Sequence, residues 1–312
     1  MSKYNFSFDV STLSDYTNEN TGLIAQALYG ATTIGSGIEI IAGQKGDVKL
    51  NKLDHDLYLQ DAACGWTVSG NTNLEQVSIS VCSIDYKEPL CPKTLEPKWY
   101  GQLMARGSDP QSFPFEKFII DNKAQKLSEQ VEYMFWQGAD GTGAGNLVLC
   151  DGIGAFLSGA TGDVYVAAAS GTTTASTIEA AIDAMVSQVD DRAYVMNDLT
   201  LFMSVAKYRQ LITALVANNS YNYNVAEDGK TLKTTLAGHN VEVIGTAGLR
   251  GVDFMYLTPK SNLVFVTDLL DETESLDMWW SQDNREIRIA GSFKFGVGVY
   301  FNEFMVHNNP NL

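Results

Sequence analysis

Histidine, basic charge and long apolar runs are all scarce in this chain. Only His55, His239 and His307 occur in 312 residues, and none stands at ligand spacing from a cysteine or carboxylate. They read as solvated or loop residues, so neither a histidine metal site nor a histidine general base is expected. Lys plus Arg number 21 against 37 Asp plus Glu, a net charge of −16, and the basic residues do not cluster. Gripping nucleic-acid phosphates by counterion release needs such clusters, as does attraction to an anionic bilayer, so neither is the main work of the chain. Charged residues make up only 19% of the sequence, below the roughly 25% usual in soluble domains, which leaves an acidic surface rich in neutral polar groups.

The longest uncharged stretch, Thr21 to Ile38, is interrupted by Gly22, Gly30, Gly35 and Gly37, whereas a membrane span needs about 20 predominantly apolar residues. Lys3 alone precedes Asp9, which is not the start of a secretory signal, so a protein made and kept in the cytosol, or one that leaves the cell without secretion, is expected. Cys64, Cys82, Cys91 and Cys150 are separated by 18, 9 and 59 positions. No Cys-x-x-Cys spacing results, and the expectation is four free thiols with no disulfide and no metal.

Catalytic patterns fail in the same way. Gly229-Lys230-Thr231 resembles the end of a phosphate loop, but Asn224 occupies the place of its first glycine. Gly141, Gly143 and Gly145 follow a helix rather than a strand and lack the dinucleotide spacing. No G-x-S-x-G elbow exists, Asp190-Asp191 lacks a third partner, and Asp271 with Glu274 reads as a solvated turn. Trp279-Trp280 reads as cover for a core or an interface. No catalytic, cofactor or metal residue is therefore named.

What is present is enough apolar material for a large core, 45% of the chain. Residues 1–20 are polar and aperiodic apart from Tyr4, Phe6 and Phe8 in alternation, which suggests an extended arm ordered by a neighbour. A short apolar helix is predicted from Leu23 to Tyr29, and then strand at Ile38 to Ile41 and Val48 to Leu50. Trp66 and Val68, a Gly70-Asn71 turn signal, then Val77, Ile79 and Val81 predict a hairpin whose hydroxyl-rich face needs something to lie against. Ser112 as N-cap and Pro114 in the first turn open a long helix, 112–138, with Leu127, Val131, Met134 and Phe135 on its apolar stripe.

After a Gly-rich turn, Ser176 and Glu179 read as a capping box before Ile178, Ile182, Met185 and Val186. Tyr194 to Met196 read as a short buried strand before a helix from about Thr200 to Leu215. Strands follow at Val241 and Val243, Phe254 to Leu257 and Leu263 to Val266, and alternation of period two runs from Ile287 to Phe301.

This order of elements, with the hairpin CGWTVSGNTNLEQVSISVCSIDY (Cys64 to Tyr86), the helix running into QGADGTG (Gln137 to Gly143) and on to Gly152-Ile153, the strand and helix of Ala193 to Leu215, and the closing strands of Arg285 to Val306, resembles the major capsid protein of tailed bacteriophages. The resemblance implies an α+β chain of the Hong Kong 97-like capsid fold. Residues 1–44 would be its N-arm and 60–85 its E-loop. The P-domain would comprise 45–59, 86–150 with the spine helix, and 270–312, and the α/β A-domain 151–269. It implies self-assembly into hexamers and pentamers of an icosahedral virion shell in the host bacterial cytoplasm, with portal and scaffolding proteins as partners, decoration proteins left open, packaged double-stranded DNA touched only weakly, and no membrane. Interface candidates are Tyr4, Phe6, Phe8, Trp66, Val68, Val77, Ile79 and Val81. No lysine lies between Leu53 and Tyr86, which speaks against covalent E-loop cross-linking. The rivals are an encapsulin-type compartment of the same fold and a cytosolic α+β enzyme.

Overall fold

The computed structural model describes residues 32–55, 58–59, 70–91, 115–159, 161–169, 173–218, 232–236, 238–268 and 277–310. The predicted short helix at 23–29 and the Ser112 cap lie outside them. Two sheets and one hairpin organise the chain. The first sheet is built on β12 (Glu286–Val299), which pairs along one edge with β4 (Cys82–Leu90) and along the other with β11 (Asp277–Ser281) and β10 (Leu263–Val266). β1 (Glu39–Ile41) adds parallel to β10. The second sheet runs β5 (Val164–Tyr165), β13 (Val306–His307), β9 (Met255–Pro259), β6 (Leu199–Ser204), β8 (Glu242–Thr246), β7 (Lys233–Thr235). β2 (Val48–His55) and β3 (Thr72–Ile79) form the hairpin.

The period-two reading of the closing strand is what β12 shows, with Ile287, Ile289, Phe293, Phe295, Val297 and Val299 all buried. Its inner face packs on α1 (Phe115–Gln137), the predicted long helix. The last turn of α1 is buried nearly all round, through Val131, Met134, Phe135 and Trp136, as expected of a helix that runs between a sheet and a second layer. Trp136 stacks on Tyr256 at 5.1 Å between ring centroids and lies 5.1 Å from Phe202, so the end of this helix brings one face of the second sheet into the same cluster as the first. Burial pushes the Tyr256 hydroxyl up to about 12. The helix stops where Gly138 meets Gly152: a Cβ on Gly138 would lie 2.4 Å from the Cys150 carbonyl oxygen. Only glycine allows that approach, and α2 (Ile153–Ser158) starts directly behind it.

The α/β unit differs from its prediction in register. The buried strand is β6, not Tyr194 to Met196; Asp191–Tyr194 form the short helix α4, and Val195 is exposed. Leu199 to Met203 are buried at every position and apolar except for Thr200, so they show no period that chooses between helix and strand. Tertiary pairing to β8 and β9 decides for strand, and Ser204 then caps α5 (Val205–Ala217) by accepting the Lys207 N–H at 3.3 Å. The stripe on α3 (Ile178–Val186) is buried as read, but no Ser176–Glu179 box forms. Thr177 is the N-cap, and Glu179 accepts a hydrogen bond from Asn218 at 2.5 Å.

Two strands join a different sheet from that of their sequence neighbours. β10 belongs to the first sheet although it falls within 151–269, and β13 belongs to the second although it falls within 270–312. The region expected as arm is body-bound from Thr33 onward, since Ile34 and Ile38 are buried in the main core.

The cysteine reading is corrected outright. Cys82 and Cys150 form a disulfide, Cα–Cα 5.8 Å apart across 68 residues of sequence. Intervals along a chain test only local metal and redox motifs; here the β4–β12 ladder carries Cys82 beside the segment that follows the long helix.

Candidate assembly surface

The hairpin is longer than its sequence reading and uses a different first strand. Thr72–Ile79 pairs not with Trp66 and Val68 but with Val48–His55, in the register Val48↔Ile79, Leu50↔Val77, Lys52↔Glu75, Leu53↔Leu74. Trp66 and Val68, like Tyr4, Phe6 and Phe8, lie outside the described residues. The two-residue turn signal at Gly70-Asn71 thus falls just ahead of the second strand and does not close the hairpin.

Directly opposed residues share a face, so two faces can be assigned. The face carrying Val48, Leu50, Val77 and Ile79 lies on the body. Leu50 and Ile79 are buried there with Val264 and Val266, with Val77 and Val81 half-buried around them. Ile79 is therefore a core residue of its own subunit, a correction to its reading as an interface candidate. The seat exists because β12 carries glycine beneath it: a Cβ on Gly298 would lie 2.5 Å from Ile79 Cδ1. Further out on the same face, Lys52 reaches Glu303 at 3.3 Å and sits 5.2 Å over the Phe301 ring. Glu303 also takes Arg192 at 3.4 Å, and so links hairpin, C-terminal segment and α4. Lys49 and Lys52 thus lie on a hairpin strand, and the lysine-free stretch begins just after them, at Leu53.

The opposite face points away from the body and has no cover among the described residues. Leu53 and Leu74, paired across the strands, are 52% and 61% exposed, and Tyr58 and Leu59 beyond them are 65% and 91% exposed. The cross-strand pair Leu53 and Leu74 leaves apolar surface open to water on the hairpin, and exposed apolar surface that is shared between neighbouring residues marks an interaction site. Asn51 and Gln76 bond to each other at 3.0 Å below the leucine pair. This signal was available in sequence only once the true strand partner was known.

A second concavity, about 360 Å³, runs between α1 and β4. Leu127, Val131, Met134, Ile84 and Phe293 form its floor, and Lys123 bridges Tyr86 and Glu88 at the rim. The body end of the arm is tied down nearby. The Glu132 carboxylate is buried and accepts from the Thr33 N–H at 2.9 Å and from the Thr33 and Thr246 hydroxyls, while Trp136 Nε1 donates to Thr33 Oγ1 at 2.9 Å. Desolvation pushes the Glu132 carboxyl above its ordinary range despite these bonds.

The histidines divide. His55 is exposed on β2, whereas His239 is half-buried against Tyr194, 3.2 Å away. His307, expected as a loop residue, is buried, with Nε2 2.7 Å from Asp163 and Nδ1 accepting the Asn309 N–H at 3.2 Å. The backbone donor leaves Nε2 to carry the proton toward Asp163, a pairing that ties β13 to the segment before β5. Among the described residues no group of three or more His, Cys, Asp or Glu is placed to hold a metal ion. No described helix is long and apolar enough to cross a membrane.

A projecting hairpin with an uncovered apolar face, rooted beside a long helix and a twisted sheet, suits a subunit completed by its neighbours. Solved structures agree in architecture. A subunit of the satellite phage P4 procapsid superposes with a TM-score of 0.58 at 12% identity, over 98% of this chain and 93% of that one. The chain has a bacteriophage capsid fold. The capsid fold recurs in Gordonia phage Cozz, TM-score 0.56 at 12% identity over 89% of this chain and 86% of the other. It recurs also in the capsid of an empty GTA particle, TM-score 0.55 at 9% identity over 89% of each. A virus-like particle from Pyrococcus furiosus shares it with a TM-score of 0.51 at 9% identity, over 95% of this chain and 98% of that one. No protein family and no curated protein matches the sequence. The α+β, Hong Kong 97-like capsid fold read from the order of elements is thus the one observed.

Proposed function

We propose that this chain is the major capsid protein of a tailed double-stranded DNA bacteriophage, and that it builds an icosahedral shell of hexamers and pentamers by self-association. The observation that carries the reading is the hairpin. Its root is buried in its own subunit, its outer face exposes Leu53 and Leu74, and the fold it extends from is one shared with capsid subunits over nearly the whole chain. In the shell the outer face lies over an adjacent subunit, together with Trp66 and Val68 beyond it. Residues 1 to about 20, with Tyr4, Phe6 and Phe8, lie along a neighbour as well. The mechanism is assembly rather than catalysis: symmetry repeats one modest contact many times, so contacts too weak to hold a dimer close a shell. Portal and scaffolding proteins are further partners. The net charge of −16 suits a container that must release its DNA, since like charge weakens contact with phosphates. The site of action is the virion, with assembly in the host cytoplasm.

The test is sedimentation and negative-stain microscopy of the expressed protein, alone and with residues 1–20 deleted. Closed particles from the full chain and a folded but poorly assembling truncated subunit are expected. A compact monomer with no higher assembly would overturn the reading in favour of an enzyme. The likeness to a virus-like particle from Pyrococcus furiosus favours one second reading, an encapsulin-type shell. Uniform small particles that hold a cargo protein and no DNA would select it.

A further inference from the structure

We propose that Cys82 and Cys150 form a reversible thiol–disulfide pair, open while the subunit is made and assembled in a reducing cytoplasm and closed once the particle leaves it. The inference rests on the capsid reading only for what the bond would then hold. Cys82 opens β4, three residues after Ile79 ends the hairpin's second strand, and Cys150 follows the turn at the end of α1. The bond therefore ties the exit point of the hairpin to the body behind the long helix, beside the concavity between α1 and β4. Force applied to the hairpin by a neighbour passes through this root.

The two cysteines are positioned by contacts that do not need the bond. Cys82 stands opposite Phe295 in the β4–β12 ladder. The Cys150 carbonyl lies against Gly138, whose own carbonyl accepts the Gly152 N–H at 2.9 Å at the end of the helix. In the closed pair the Cα atoms are 5.8 Å apart, within the ordinary range for a disulfide. Access is unequal: Cys150 is 1% exposed while Cys82 is half-buried. A reagent from solution therefore meets the Cys82 sulfur first. With a low-molecular-weight disulfide as oxidant, the Cys82 thiolate attacks one of its sulfurs and expels one thiol. The Cys150 thiolate then attacks the Cys82 sulfur of the mixed disulfide and expels the second. Two protein thiols lose two protons and two electrons, and one oxidant disulfide becomes two thiols. Cytosolic thiol pools hold such a pair reduced, and the exterior does not.

The experiment breaks cells directly into N-ethylmaleimide with guanidinium, so that the buried Cys150 thiol is reached as well, and maps Cys82 and Cys150 by peptide mass spectrometry, then repeats the mapping on material treated with oxidised glutathione before denaturation. Both cysteines alkylated at lysis, and a linked 82–150 peptide after oxidation, are expected. Oxidation is expected to raise the thermal dissociation midpoint of wild-type particles by several degrees, and to leave Cys150→Ser particles unmoved; Cys82→Ser, at the half-buried position, serves if Cys150→Ser does not fold. A linked peptide already complete at lysis, no link after oxidant, or an equal rise in the serine variant would each overturn the proposal. If the chain sediments only as a monomer, the capsid reading fails. The thiol mapping and the midpoint of the monomer then decide the redox claim on their own.

Discussion

Replacing Leu53 and Leu74 together by serine tests the assembly surface at the point where the structure is most specific. The pair sits on the hairpin face that points away from the body, 52% and 61% exposed. Covering the remaining area of a leucine recovers about half of the roughly 1.5–3 kcal/mol of full burial, so the pair contributes about 2–3 kcal/mol to each hairpin contact in a shell. That is roughly a 30- to 150-fold change in the equilibrium for one contact, and more across a subunit's share of a closed lattice. In the unassembled subunit the same leucines touch water, and the double substitution should move its stability by no more than about 0.5 kcal/mol. Two measurements separate the cases: the protein concentration at which particles first sediment, and the guanidinium midpoint of the subunit below it. A raised assembly threshold with an unchanged midpoint is expected. A midpoint that falls in step, or a threshold that does not move, would refute the assignment of this face to a neighbour.

Phe295→Ala removes a ring with no exposure that packs 5.5 Å from Phe265; it should cost about 3–5 kcal/mol in denaturant unfolding, and a loss under 1 would place the core elsewhere. Gly298→Ala drives a methyl to within 2.5 Å of Ile79 and should destabilise the subunit by about 1–3 kcal/mol. The same substitution in an Ile79→Ala background should cost clearly less, and equal losses would show that the hairpin root is not seated on β12. Because burial raises the Glu132 carboxyl above its unfolded value, its contribution is fully present below the ordinary carboxylate range and is lost as pH rises through the folded value. Glu132→Gln should therefore gain on the wild type in urea midpoint from about pH 4.5 to pH 8, and a pH-independent difference between the two would count against this environment.

How much of this was legible beforehand depends on the range of the interactions concerned. The long helix and β12 announce themselves because each buries a face set by its own period, 3.6 in one and 2 in the other, over more than a dozen residues. The order of elements sufficed for the capsid fold, since that order is a property of the chain. Leu199 to Met203 carry no such information: a segment buried on both faces and apolar but for Thr200 has no clear period, and only the places beside β8 and β9 made it a strand. The hairpin was misread for a related reason. The Gly70-Asn71 signal is local and alternation is local, but Val48–His55 won the pairing with Thr72–Ile79 across the residues between them in sequence, and the seat that glycine leaves on β12 buried Ile79. The disulfide and the buried His307–Asp163 pair join residues 68 and 144 positions apart. Sequence by itself determined composition, charge, periodicity and element order, because each is written in neighbouring residues. Which strands met, which hydrophobic face stayed uncovered and which sulfurs touched were decided only when the two sheets closed on the end of one helix.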